Sequence, residues 1–171
     1  DSTNQWDKLG EDIDGESPFD ESGFSVSLSA DGSVVAIGAH LNSNNQGVST
    51  GQVRVYKYDE DAIASGWTQR GGDIDGEGAG DGSGNSVSLS ADGSVVAIGA
   101  AMTSSYSERN LDTGYVRVYR YNPEKNAPQI TNQGLSNYGP AGWDRIGKDI
   151  DGEGEDDFSG YSVSLSSDGT I

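Results

Sequence analysis

From Phe24 to Ser29 apolar residues and serines alternate, in the order Phe-Ser-Val-Ser-Leu-Ser. A period of two places Phe24, Val26 and Leu28 on one face of an extended strand and the serines on the other. Ala30-Asp31-Gly32-Ser33 comes next. Asp-Gly between two strands predicts a tight hairpin of type I′, which needs positive φ at both central residues. Val34 to Ala39 is continuously apolar, the pattern of a strand covered on both faces. Gln52 to Tyr58 alternates again, with Val53 and Val55 opposed to Arg54 and Tyr56. Trp67 to Ile74 completes the set as a fourth strand, ending in an Asp-Ile-Asp-Gly turn. No stretch carries a sustained helical period.

The same pattern returns. Trp6, Trp67 and Trp143 each precede an Asp-Ile-Asp-Gly-Glu run by six positions, and a Ser-Val-Ser-Leu-Ser run follows each of these. Val34–Ala39 matches Val95–Ala100, and Gly51-Gln52-Val53-Arg54-Val55-Tyr56 matches Gly114-Tyr115-Val116-Arg117-Val118-Tyr119. Ser25, Ser86 and Ser162 open equivalent strands, so the spacing is 61 and then 76 residues. The extra length lies between strands, where stacked units tolerate insertions.

Four antiparallel strands at this spacing predict an all-β fold of β-propeller blades. The expected organisation is two complete blades, 24–84 and 85–160, flanked by part-blades 1–23 and 161–171. Propellers close with about four to eight blades. The expectation is therefore a segment of a longer propeller. The alternative is a ring completed by several copies or by other subunits. Gly38 and Gly99 are expected where a side chain would crowd the neighbouring sheet. Gly15, Gly76 and Gly152 are expected in left-handed turns. The tryptophans are expected to pack between blades.

Phe24-Ser25-Val26-Ser27-Leu28-Ser29-Ala30-Asp31-Gly32, followed by Val35-Ala36-Ile37-Gly38-Ala39 and by Gly51-Gln52-Val53-Arg54-Val55-Tyr56, resembles the FG-GAP repeat. Gly23-Phe24 stands at the family's Phe-Gly region. Ile37-Gly38-Ala39 matches its Gly-Ala-Pro element without the proline. The resemblance covers nearly the whole chain. It implies a seven-bladed propeller of the kind found in integrin α subunits and in secreted microbial and algal proteins. It also implies an extracellular or cell-surface setting, with adhesion or ligand binding. Calcium-binding members carry an aspartate-rich loop between the first two strands. Ser29-Ala30-Asp31-Gly32-Ser33 is too short for a shell of six to eight oxygens, so those calcium residues do not carry over.

A second acidic loop recurs in every copy. Asp12, Asp14, Glu16 and Asp20 match Asp73, Asp75, Glu77 and Asp81, and again Asp149, Asp151, Glu153 and Asp157. Four carboxylates bent around a glycine offer hard oxygen ligands, which makes Ca²⁺ the candidate cofactor. The other reading is a turn whose aspartates accept backbone N–H groups. Repetition is equally compatible with both.

Charge narrows the partners. Ten Lys and Arg face 28 Asp and Glu, for a net charge of −18. Without a basic stripe, nucleic acid and anionic membrane surfaces are excluded as partners. High acidity also characterises proteins from salty water. There is no cysteine, and no apolar run long enough to cross a membrane as a helix.

Catalysis has little to stand on. His40 is the sole histidine, and the second repeat has Ala101 in its place. Every candidate carboxylate is repeated in each unit, as scaffold residues are. Arg54 and Arg117 are expected to pair with carboxylates on a solvated face. Tyr56, Tyr58, Tyr119 and Tyr121 are read as packing residues, with sugar stacking the alternative. The segments Leu41–Thr50, Met102–Thr113 and Asn122–Gly142 differ between repeats, and variable loops on a repeated scaffold carry specificity. The sequence thus points to a non-catalytic module binding a protein or glycan. A purely structural subunit is the second reading, and a glycan-modifying enzyme the third.

Overall fold

The computed structural model describes residues 6–45, 47–61, 66–101, 113–125, 139–154 and 156–170. These residues form two antiparallel sheets, with no helix among them. The first sheet contains β1 (Ser25–Leu28), β2 (Val34–Ala39), β3 (Gln52–Tyr58), β4 (Trp67–Gln69) and β5 (Ile74–Asp75). Its order is β1-β2-β3-β4, and β5 also pairs with β3. The second contains β6 (Ser83–Leu89), β7 (Val95–Ala100), β8 (Tyr115–Tyr121) and β9 (Trp143–Asp151), in that order.

The two sheets share one register. Val26 sits opposite Ile37 and Val87 opposite Ile98. Ile37 sits opposite Arg54 and Ile98 opposite Arg117. The expected fourth strand, Trp67 to Ile74, is broken in the first sheet: β4 and β5 pair separately with β3. In the second sheet the equivalent β9 runs through with a register shift opposite Val116/Val118. Gly71 and its counterpart Gly147 mark the irregularity with φ of 69° and 70°. β6 pairs with β7 from Ser83.

The core lies between the sheets. Val34, Ala36, Val53, Val55 and Ile74 of the first meet Val87, Leu89, Val96, Ile98, Tyr119 and Trp143 of the second. Burying an aliphatic side chain of this size contributes about 1.5–3 kcal/mol, so this layer dominates the stability of the pair. Polar anchors set its registration. Ser25 Oγ donates to Gly84 O at 2.6 Å, Ser27 Oγ accepts the Leu89 N–H at 2.9 Å, and Ala30 N–H reaches Ala91 O at 2.8 Å.

These bonds recur on the far side of the second sheet. Ser86 Oγ donates to Gly160 O at 2.8 Å, Ser88 Oγ accepts the Leu165 N–H at 3.0 Å, and Ala91 N–H reaches Ser167 O at 2.8 Å. Residues 159–169 thus lie on the second sheet as β6 lies on the first. The serine face of the alternation is the stacking face. Its small side chains let backbones approach and supply hydroxyls for the neighbouring strand's outward-pointing groups.

Gly38 and Gly99 stand where expected. A Cβ on Gly38 would fall 2.2 Å from Gly84 O, and one on Gly99 would fall 1.9 Å from Gly160 O. Two turn expectations fail. Only Gly32 has positive φ (73°) in the first hairpin, so the turn is not type I′. Gly32 N–H closes on Ser29 O at 3.0 Å, and the Asp31 carboxylate accepts the Ser29 hydroxyl, the Ser33 hydroxyl and the Ser33 N–H. The side-chain bonds hold Asp31 out of the left-handed region. Gly15, Gly76 and Gly152 are not left-handed either. At Gly76 and Gly152 the requirement is closeness: a Cβ would lie 2.0 Å from Thr50 O and 2.2 Å from Thr113 O.

The tryptophans link successive repeats. Trp67 Nε1–H donates to Leu9 O at 2.9 Å, and Trp143 Nε1–H donates to the equivalent Arg70 O at 3.0 Å. Each ring also meets a tyrosine edge to face, Tyr58 at 5.3 Å and Tyr121 at 5.4 Å. Among the described residues Trp6 has no such neighbour, and it is 98% exposed. Among the described residues no helix is long and apolar enough to cross a membrane.

Candidate functional site

The acidic loops lie where one sheet hands over to the next. In each, the last aspartate folds back on the turn that precedes it. Asp20 accepts the Ser17 N–H at 3.0 Å. Asp81 accepts the N–H groups of Glu77 and Gly78 at 3.1 and 2.9 Å. Asp157 accepts those of Glu153 and Gly154 at 2.9 and 2.7 Å. One carboxylate thereby satisfies donors that the turn leaves free. Asp20 also takes the Asn42 amide at 3.0 Å, and Asp81 takes the Tyr115 hydroxyl at 2.9 Å. These bonds tie each turn to the β2–β3 or β7–β8 side of the following sheet.

The glutamates face arginines. Glu77 reaches Arg117 at 2.7 Å, and Glu16 approaches Arg54 at 4.0 Å. Both arginines are buried, which corrects the expectation of a solvated face. Burial follows from their position: each stands on the third strand beneath the loop of the preceding repeat. Arg117 is further held by Asp149 through Nε at 2.6 Å and Nη2 at 3.0 Å, while Arg145 also binds Asp149. Burial opposes the Arg117 charge, but the bond to Asp149 and the nearby Glu77 carboxylate outweigh it and raise its pKa above the usual value. The guanidinium lies 4.4 Å from the Tyr115 ring centre. Arg54 has looser company, donating to Asp14 O at 2.7 Å.

The remaining acidic positions scatter. Asp12 pairs with Lys8 on the surface at 3.1 Å. Asp73 accepts the Gln69 amide at 2.7 Å. Asp75 is half-buried, and desolvation raises its pKa, reinforced by Asp73 and Glu16 against its bonds to Asn44 and Gln52. Asp14, Asp151 and Glu153 are exposed. Among the described residues, no three Asp, Glu, His or Cys side chains converge on one point.

No family model matches the chain, and no curated protein matches it.

His40 is buried against Phe24, with ring centres 3.9 Å apart, and its Nε2 lies 3.7 Å from Glu21. Burial lowers its pKa, while Glu21 acts in the opposite sense. Among the described residues, its Nδ1 has no hydrogen-bond partner. Of the four tyrosines, Tyr58 and Tyr121 serve as partners for tryptophan, and Tyr119 belongs to the core. The Asn42–Asp20 and Tyr115–Asp81 ties carry no signal in the sequence, because those donors sit in positions that differ between repeats. Of the variable segments, residues 46, 102–112 and 126–138 lie outside the described residues.

Proposed function

We infer that the chain is a non-catalytic β-propeller module of the FG-GAP type that binds a protein or glycan partner at the cell surface or in an extracellular assembly. One observation carries this reading. The repeated polar residues are already engaged in holding sheet to sheet, and the sequence that differs between repeats lies in the connections. Serines bond the neighbouring strand, the last aspartate of each acidic loop closes its turn, and the glutamates of the first two loops meet arginines. Repetition thus serves the scaffold, and specificity is left to the loops.

We read the acidic loops as scaffold turns rather than as calcium sites. A calcium shell draws on six to eight oxygens. Here the last aspartate of each loop already accepts N–H donors, Glu77 and Asp149 already neutralise Arg117, and Asp12 faces Lys8.

The test is a binding screen of the purified chain against defined glycans and purified extracellular proteins. It is repeated with residues 43–48 replaced by a short glycine-serine linker, which leaves the buried Asn42 and Thr50 in place. Loss of a specific interaction in the loop variant, with unchanged circular dichroism, is the expected result. Binding that persists without the loop would place recognition elsewhere and sink this assignment.

A further inference from the structure

The two sheets differ at one cross-strand pair. Gln52 and Asp75 are register partners between β3 and β5, and the equivalent partners in the second sheet are Tyr115 and Asp151. Tyr115 turns its hydroxyl to Asp81, and Asp151 is exposed. In the first sheet Gln52 is only 4% exposed and Asp75 is half-buried. The Gln52 amide nitrogen faces two carboxylates at once, Glu16 of the first acidic loop at 3.2 Å and Asp75 at 3.5 Å. Its Oε1 is buried, and among the described residues no donor meets it. An amide has two donor hydrogens and an acceptor oxygen. Here the donors meet two anions and the acceptor meets nothing, so the cluster lacks a proton.

We propose that Asp75 takes up a proton and donates it to Gln52 Oε1, closing an acid–amide pair that fastens β5 to β3 in acid and loosens as Asp75 ionises. One N–H of Gln52 then returns to Asp75 Oδ1, and the other stays on Glu16. The surroundings favour the neutral acid. Asp75 is desolvated, and the Asp73 and Glu16 charges act with desolvation against the Asn44 and Gln52 bonds to the ionised form. The nearby cation, Arg54 on β3, is turned to Asp14 O at 2.7 Å and lies 4.0 Å from Glu16. A folded value raised above 3.8 stabilises the fold fully below 3.8, and the contribution is lost as pH rises through the folded value. The second sheet has no such latch, because Tyr115 offers no side-chain carbonyl.

Carbon-detected NMR of the side-chain carboxyls and amides, titrated from acid to neutral pH, tests this. Asp75 should titrate above 3.8, and the Gln52 side-chain carbonyl should shift with the same midpoint. Glu16→Gln, at a half-exposed position, should lower that midpoint by removing the competing anion. Asp75→Asn keeps a donor for Oε1 at every pH. Its urea unfolding midpoint should match that of the wild type below pH 3.8 and exceed it at neutral pH. Titration of Asp75 at or below 3.8, a Gln52 carbonyl blind to it, or a midpoint that ignores Glu16→Gln would overturn the latch. So would an Asp75→Asn chain less stable than the wild type at neutral pH.

Discussion

Replacing Gly38 by alanine isolates the contact on which the stacking of the two sheets depends. Gly38 has ordinary strand φ, so alanine meets no backbone penalty there. On conformational grounds alone, the change should stabilise a strand interior by about 0.5–1 kcal/mol. Packing acts in the opposite sense. The new Cβ falls 2.2 Å from Gly84 O and 2.4 Å from Ser25 Oγ, whereas real Cβ atoms essentially never approach within 3.0 Å. Ser25 can rotate away, at the loss of its bond to Gly84 O, worth about 1 kcal/mol. The Gly84 carbonyl is backbone, so the sheets must part locally by close to an ångström. A gap of that size forfeits about a quarter to a half of each dispersion contact across it. Overpacking of this kind costs about 1–3 kcal/mol, which with the lost bond and less the conformational gain gives a net destabilisation of about 2 kcal/mol. Gly32→Ala is the control. Its Cβ meets nothing within 4 Å, but its φ is 73°, and the left-handed penalty is about 1–2 kcal/mol. Urea unfolding of both variants measures the difference. If Gly38→Ala proves neutral, or milder than Gly32→Ala, the serine-glycine face is not a close contact between the sheets.

Other consequences are more direct. Arg117→Met should cost about 2–3 kcal/mol, because it removes the charge-assisted bonds of a buried guanidinium to Glu77 and Asp149, although Arg145 still holds Asp149. Arg54→Met should cost about 1 kcal/mol, since its glutamate is half-exposed and distant, and chemical denaturation ranks the two. Asp31 is held to a pKa of about 2, against a reference of 3.8, by the Ser29 hydroxyl and the Ser33 N–H and hydroxyl. A depressed carboxylate stabilises the fold fully above the unfolded value and loses that contribution as pH falls from 3.8 towards 2. Asp31→Asn should therefore flatten the acid limb of the stability curve in that interval; an unchanged limb would remove the assignment. A chelator should leave the melting temperature where it is, whereas a fall on calcium removal, by mass action on the folded state, would restore the acidic loops as metal sites.

Much of this architecture was legible because local pattern and tertiary demand coincide. The Ser-Val-Ser-Leu alternation marked a strand with two unlike faces, and Val34–Ala39 marked one covered on both. Gly38 was legible as a close approach because a glycine inside a β-branched run weakens the strand unless another backbone needs the space. The turn details were not. Asp-Gly reads as a type I′ hairpin only while the aspartate side chain is ignored. Here Ser29 and Ser33 capture it and select another turn. The arginines misled in a related way. Alternation placed them opposite valines, hence outward, but the preceding repeat's acidic loop lies over that face. Period-two reasoning assigns a face and is silent about what covers it.

The acidic loop shows most clearly how a repeated shape outlives its sequence. Phe19 and Glu21 in the first copy have φ of 72° and 54°, and Asp156 and Phe158 in the third have 64° and 51°. The second copy has glycine at both places, Gly80 and Gly82, with φ of 80° and 61°. A bulky residue in the left-handed region carries strain of about 1–3 kcal/mol and persists only where its surroundings over-determine it. Those surroundings repeat: Asp20, Asp81 and Asp157 each cap the turn, and the N–H groups of Phe24, Asn85 and Tyr161 each close on the carbonyl three residues back, on Glu21, Gly82 and Phe158. The aspartate and the closing bond, not the glycines, define the loop. It follows that Phe19→Gly and Glu21→Gly should stabilise the first loop, while Asp20→Ala should destabilise it more than either gains; thermal melts of the three variants check the order.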